Sequence, residues 1–452
     1  MELTPDRIYK DFLKNNLDKH SATKLLLSLI ENSDNDKVRV NCINDIGRIG
    51  IKDNHTFKIL ENLLISDSNE VVRNTAALIL AKNYLEKILE PMKWALIHED
   101  SPLCLNTIYL TLIKILRNLV ENSNSLTKST LLSEVKKIRR KEFRLGFEII
   151  CETKEIETFS KKDLSDILIN YFTIILLEKS YWRLKFKIEE CKIVELDFIF
   201  KGLASLPEVI EYLGQLKTLI LRYNQLVHLP DWLGVLKSLE ELNINVNNLN
   251  KLPESIGKLS SLRELYLWKN ELTYLPNTIG QLISLETLNL RLNQLKTLPD
   301  SIENLSSLRE LDLHDNQLIK IPESLKQLSS LEKLILSWNQ IERIPEGIGY
   351  LSSLMILDLE RNELVDLPDS IGHLSSLEFL NLSDNKLKRI PESIGNLHNL
   401  KTLNLSRNEI NYLPKSIASL PSLKELYLKD TKVKIIPKSL KNLESSGLKI
   451  YY

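Results

Sequence analysis

At 452 residues, 43% of them hydrophobic and 27% charged, the chain is long enough for two or three domains and has the composition of a folded protein, which excludes a disordered one. Its 60 basic and 60 acidic side chains cancel, excluding a global field that would recruit nucleic acid or an anionic membrane. The opening Met-Glu-Leu-Thr-Pro-Asp-Arg lacks the apolar core of a secretory signal, and the longest apolar candidate, Ile169 to Leu177, is about half of the ~18 residues that cross a bilayer.

Four cysteines, Cys42, Cys104, Cys151 and Cys191, show no Cys-x-x-Cys spacing. Scattered thiols fit a reducing compartment, so the expectation is a cytoplasmic protein with no membrane span.

Residues 1–122 have helical periodicity. Asp36-Lys37-Val38-Arg39 heads an apolar-periodic stretch through Ile43 and Ile46, and Asn69-Glu70-Val71-Val72-Arg73 heads another through Ala76, Ala77 and Leu80. A poorer copy follows Asp100-Ser101-Pro102. An acidic or amide residue ahead of a Val-Arg pair satisfies the exposed N–H groups and dipole of a helix start. The pattern resembles HEAT-type repeats, which implies an α-helical N-terminal domain built as an α-solenoid; an irregular helical bundle is the alternative.

Residues 123–180 read as additional helices or a linker. They contain a basic run, Lys136, Lys137, Arg139, Arg140, Lys141 and Arg144, but Glu152, Glu155 and Glu157 lie close by and no aromatics interleave. That composition reads as a solvated helix face, so no nucleic-acid partner is expected. Within 181–202 the pattern alternates, Leu184, Phe186, Ile188, then Ile193, Leu196, Phe198. Such alternation predicts a β-hairpin covering the first edge of the sheet that follows.

That sheet announces itself by a repeat. Prolines recur at one constant interval, Pro207, Pro230, Pro253, Pro276 and so on to Pro437, across 203–440. Six residues before the proline stands Asn224, Asn247, Asn270, Asn293, Asn316, Asn339, Asn362, Asn385 or Asn408, with Lys201 and Thr431 in the slot at the two ends. In one unit, Leu288 and Leu290 are two apart and point to the same side of a short strand. The chain then turns at Asn293, whose buried amide can satisfy backbone groups left unpaired by the turn. Pro299 ends the turn and opens a short helical or 3₁₀ segment on the opposite side. The few leucines of one unit cannot offset the entropy of ordering its backbone, so units must stack into a structural asparagine ladder and a solenoid. Residues 441–452 carry Leu448 and Ile450, out of frame by one, and read as a C-terminal closing strand.

The recurring Leu-Pro-x-x-Ile-Gly-x-Leu-x-x-Leu-x-x-Leu-x-Leu-x-x-Asn-x-Leu, as in Leu252 to Leu272, resembles the Ras-group leucine-rich repeats of intracellular scaffolds. The resemblance implies an α/β leucine-rich-repeat horseshoe with a parallel concave β-sheet. It also implies a protein–protein interaction scaffold whose partner is a small GTPase or its regulator.

If Leu288 and Leu290 point inward, residues 287, 289 and 291 face the other way, and the frame transfers to every repeat by the proline interval. Large residues gather in the first half of that concave face: Arg222, Tyr223, Tyr266, Trp268, Arg291, Leu292, His314, Ile335 and Trp338. Trp, Tyr and Arg dominate binding hot spots, so these nine are the expected protein-binding residues. The alternative is that they only pack against one another along an exposed ladder.

Chemistry has little foothold. Gly257-Lys258-Leu259 lacks the rest of a P-loop, and no His-Glu-x-x-His or Cys/His cluster with metal spacing occurs. Asp312, His314 and Asp315 lie together but fit a polar contact better than a metal or catalytic site. No cofactor is expected. The competing class is a ubiquitin-ligase-like effector with its activity in the helical part. It needs a reactive thiol, whereas Cys42, Cys104 and Cys151 fall in helical-periodic stretches where an inert, buried thiol is the default.

Overall fold

The computed structural model describes residues 3–121, 126–434, 440 and 447–452. Pro437, the last of the repeat prolines, lies outside them. The chain divides into two compact units, Met1–Leu184 with Ile188–Lys192, and Lys185–Lys187 with Ile193–Tyr452.

The first unit consists of helices α1 (Pro5–Leu13), α2 (Lys19–Asn32), α3 (Asp36–Ile49), α4 (Asn54–Ser66), α5 (Glu70–Asn83), α6 (Leu89–His98), α7 (Pro102–Glu121), α8 (Leu126–Lys136), α9 (Lys141–Thr153) and α10 (Lys161–Ser180). Their starts obey local chemistry. The side chains of Asp18, Asn35, Asp53 and Asn69 each accept from a backbone N–H of the first turn, and Ser160 with Asp163 forms a reciprocal capping box. Helices pair as α2 with α3, α4 with α5 and α6 with α7, and the second members stack, α3 on α5 and α5 on α7.

Equivalent polar contacts bind these stacked layers. Asn69 Nδ2 donates to Asp36 at 2.6 Å, Arg39 Nε lies 3.1 Å from Asp67, and Arg73 Nε lies 2.7 Å from Glu99. Burial opposes the charge on Glu99, but Arg73 and the N–H groups of Ser101 and Asp100 more than offset it and hold the carboxyl down at about 2.

Two expectations need correction here. Helix α7 is, by length and mean hydropathy, apolar enough to cross a membrane, which a search for apolar runs missed because Asn106, Thr107, Thr111 and Lys114 punctuate it. Half of its most apolar window is buried, on a face that includes Ile108, Tyr109, Leu112 and Leu116. Three members of the basic run also pair with acids other than the nearby ones expected. Lys137 pairs with Glu134 and Glu90, Arg140 with Glu178 and Glu142, and Arg144 with Glu148. Glu134, Glu142 and Glu148 are close in sequence, whereas Glu90 and Glu178 reach the run from distant parts of the chain.

The second unit is a sheet whose strands follow chain order. Strands β1 (Lys185–Glu189) and β2 (Lys192–Asp197) precede ten three-residue strands, β3 (Thr218–Ile220) to β12 (Glu425–Tyr427), and β13 (Lys449–Tyr451) closes it. From β2 onward the pairing is parallel. Leu265 pairs with Leu288 and Leu288 with Leu311, so lateral neighbours are one repeat apart. At β13 the spacing lengthens by one, pairing Leu426 with Ile450. Each repeat returns through a 3₁₀ segment directly after its proline, such as Asp300–Asn304 after Pro299.

The asparagines form a continuous zigzag. Asn293 Nδ2 donates to Leu290 O of its own repeat at 2.9 Å and to Leu267 O of the preceding one at 3.0 Å, while its Oδ1 accepts from Leu272 N at 3.0 Å. The same triad recurs at Asn270, Asn316, Asn362 and Asn385. Because the Asn316 amide also reaches Leu290 O, each carbonyl serves two ladder members.

The left-handed residue of the turn is the one before the asparagine. Tyr223, Val246, Lys269, Leu292, Asp315, Trp338, Arg361, Asp384, Arg407 and Asp430 all have φ between 52° and 58°. No glycine occupies this slot, although a non-glycine residue costs about 1–2 kcal/mol there. Val246 is β-branched and suffers most. Replacing Val246→Asn is expected to raise stability by about 1 kcal/mol, read as a higher urea midpoint; a lower midpoint would show that the valine is held by packing instead.

The 3₁₀ segments meet at a seam of small residues. A Cβ placed on Gly234, Gly257, Gly280, Gly349, Gly372 or Gly395 would lie 2.2–2.6 Å from the carbonyl oxygen of Ser255, Thr278, Ser301, Ser370, Ser393 or Ser416 in the next repeat. Where Lys326 replaces the glycine, the residue opposite becomes Gly347. The small residue has changed sides and the close approach survives.

Candidate protein-binding face

The alternation within each strand separates core from surface. Leu265, Leu267, Leu288, Leu290, Leu311 and Leu313 are wholly buried. Residues between them emerge on the opposite, concave side, as a period of two requires. All nine expected binding residues are at least partly accessible: Arg222, Tyr223, Tyr266, Trp268, Leu292, His314 and Ile335 are half-buried, while Arg291 and Trp338 are exposed.

Tyr266 and Ile335 end strands β5 (Glu264–Tyr266) and β8 (Lys333–Ile335), and Arg222, Trp268, Arg291 and His314 stand two residues beyond their strands. Tyr223, Leu292 and Trp338 occupy left-handed positions. The structure gathers them into local groups. The Arg222 guanidinium lies 5.7 Å from the Tyr223 ring centre, and Phe200, 72% exposed, stacks on Tyr223 at 4.5 Å. Arg361 lies 3.9 Å over Trp338, whose ring centre is 6.0 Å from that of His314. The Trp268 Nε1 and Arg222 Nε atoms are shielded from water without a hydrogen-bond partner. Such donors cost free energy until something accepts from them.

Sequence reasoning missed Phe200 and Arg361 as members of these groups. Shifting Tyr223 back by one repeat lands on Phe200, and shifting Trp338 forward by one lands on Arg361, so the repeat frame contained both. Not every residue on this side is open: Asn243, Ser337, Asn381 and Ser383 are buried, because short side chains on closely spaced parallel strands are covered by longer neighbours.

The first strand positions add acid to this face. Glu241 and Glu264 sit side by side on adjacent strands, and Tyr266 Oη donates to Glu264 at 2.7 Å. Burial, then the nearby Glu264 and Glu195, pushes the Glu241 carboxyl up; burial and Glu264 raise the Tyr266 phenol likewise. Lys333 neutralises Glu310 at 2.7 Å.

The Asp312, His314 and Asp315 trio does not converge. His314 Nδ1 lies 2.8 Å from Ser337 Oγ, Asp312 accepts from the His314 backbone N–H, and Asp315 occupies a left-handed turn position. Among the described residues no group of three or more His, Cys, Asp or Glu side chains is arranged to hold a metal. A charged groove of about 550 Å³, lined by Arg343, Asp366, Arg389 and Tyr412, lies elsewhere on the repeats.

The leucine-rich repeat region model matches residues 242–342 and 371–446, and a second leucine-rich repeat model matches 329–387. The repeat array belongs to the leucine-rich-repeat family. A crystal structure of a TDR receptor is 27% identical to this leucine-rich-repeat chain, with 62% of this chain and 48% of that one covered at a TM-score of 0.53. A leucine-rich-repeat protein of Leptospira interrogans is 32% identical, with 56% and 82% covered and a TM-score of 0.33. The functional domain of InlJ from Listeria monocytogenes is 24% identical, with 54% and 50% covered and a TM-score of 0.46. The chain thus spans about half the length of the receptor and InlJ structures. No curated protein matches it.

The thiols bear on the competing enzymatic class. Cys42, Cys104 and Cys191 are buried, and burial pushes them up to about 12, 11 and 12 respectively. Thiols so raised are protonated and poorly nucleophilic near neutrality. Only Cys151 is partly exposed. Brief treatment of the folded protein with iodoacetamide is therefore expected to label Cys151 alone, read by peptide mass; rapid labelling of Cys42 or Cys104 would reopen the catalytic reading.

Proposed function

We propose that the chain is an interaction scaffold that captures a protein partner on the first half of its concave sheet. The observation that carries this is the accessible series of Arg222, Tyr223, Trp268, Arg291 and Trp338, since such side chains bury much area at low entropic cost. With strands ~4.8 Å apart, this series spans about 25 Å, the scale of a protein epitope. The backbone that carries them is held by the buried leucines beneath it.

The Ras-group pattern makes a small GTPase or its regulator the partner class to test first. The stacked Asn69–Asp36 and Arg73–Glu99 contacts support reading the helical unit as HEAT-type repeats. The buried, unpaired thiols support placing the protein in the cytoplasm.

Replacing Trp268, Arg291 and Trp338 together by alanine is expected to remove the specifically captured protein from a native-lysate pull-down, with the melting curve unchanged. Alanine at Asn404 and Ser406, farther along the same face, should leave capture intact. Equal capture by all three proteins would overturn the reading.

A further inference from the structure

Helices α5 and α7 present apolar side chains to solvent. Val71 and Leu78 of α5 are 45% and 51% exposed, and Leu103 and Leu110 of α7 are 47% and 37% exposed. The two helices pack side by side with their first turns together, because Ser101 Oγ lies 2.5 Å from Glu70 Oε2 and Cys104 Sγ donates to Glu70 O at 3.2 Å. That register brings Val71 and Leu103 within about one turn of each other along the two helices and, two turns later, Leu78 and Leu110 likewise. Seven residues of helix rise about 10 Å and packed helices lie about 8–10 Å apart, so the four side chains bound a shallow groove of roughly that square.

A basic row closes one end. Arg48 of α3, Lys82 of α5 and Lys114 of α7 are all exposed, and Lys82 Nζ donates to Gly47 O at 3.1 Å, which ties the ends of α3 and α5 together. Arg48 and Lys82 lie in the last turns of their helices, where a cation complements the dipole. Lys114 lies mid-helix, so the dipole does not account for it. Between Val71 and Leu78, Asn74 holds an Oδ1 shielded from water and without a partner.

We propose that this groove is a second docking site, which takes an amphipathic helix of a protein partner whose apolar stripe repeats at seven residues and whose one end is acidic. The apolar stripe lies between α5 and α7, and the carboxylates meet Lys82 and Lys114. A helix fits better than a lipid surface because polar side chains interrupt the apolar ones on both helices, Asn74 between Val71 and Leu78 and the exposed Asn106 between Leu103 and Leu110. The site is independent of the concave sheet.

The test is fluorescence anisotropy of the 452-residue chain with a labelled synthetic alanine–leucine helix. One peptide carries leucines at helical spacing and three glutamates at one end; its twin carries lysines in their place. The acidic peptide is expected to bind and the twin to bind about tenfold more weakly, a difference of about 1.4 kcal/mol. Lys82→Glu with Lys114→Glu should reverse that preference, and Leu78→Glu with Leu110→Glu should abolish binding while circular dichroism and melting stay unchanged. Failure of the wild-type chain to bind, equal binding of both peptides, unchanged binding by the leucine variant, or binding only to anionic phosphatidylglycerol vesicles would each overturn the proposal. Trp268→Ala with Trp338→Ala should leave peptide binding intact, which separates this result from the concave-face reading.

Discussion

Replacing Asn293→Ala is expected to destabilise the repeat array by about 3–5 kcal/mol, among the largest effects of any single polar substitution in the chain. The Leu272 N–H loses the Oδ1 that accepts from it and is left buried, at a cost of about 1–3 kcal/mol. Leu267 O and Leu290 O each lose one of two amide donors, keeping those of Asn270 and Asn316; each lost bond adds about 1 kcal/mol. Asn293→Asp should fare no better. It retains an acceptor for Leu272 but turns a carboxylate oxygen toward two carbonyls, and buries a charge. Urea unfolding followed by circular dichroism measures both. A midpoint close to wild type in Asn293→Ala would mean that water enters the turn and replaces the amide.

The second large effect concerns packing. Adding one methyl at Gly280 places it 2.2 Å from Ser301 O and 2.9 Å from Ser301 Cβ. A backbone oxygen cannot swing aside as a flexible side chain does, so two repeats must separate locally. We expect Gly280→Ala to cost about 3 kcal/mol, at the upper end of overpacking. Gly214→Ala serves as the control, since nothing lies within 4 Å of its Cβ position; it should be neutral or slightly stabilising. Comparing the two melting temperatures isolates the contact from any general effect of removing glycine.

The repeat architecture was legible because one constant period coupled many weak signals. Leu288, Leu290 and Asn293 mean little alone; repeated in frame they specify strand, face and turn. What the frame did not show depended on geometry without a residue signature. The left-handed slot is filled by Tyr223, Val246, Lys269 and Trp338, which share no property, so only the backbone reveals it. The glycine seam was visible as a consensus, but its function lies in a distance to the next repeat. In the helical unit, Arg140 finds Glu178 far along the chain, beyond any local pattern. The concave columns identified candidate positions, yet the burial of Ser337 and Asn381 depends on neighbours' lengths.

The uniform register between strands also bears on ancestry. Duplication or loss of a whole unit in the gene keeps every strand in frame and every asparagine beneath its partner carbonyl, so the array can lengthen or shorten while its surface is reshuffled. The seam between the 3₁₀ segments is less uniform. Glu303 and Lys326 stand where the other units of that stretch have glycine, the first opposite Ser324 and the second opposite Gly347. Units whose seam residue is Gly234, Gly257, Gly280, Gly349, Gly372 or Gly395 all meet a serine or threonine at close range, so they are the ones that can change places without altering that contact.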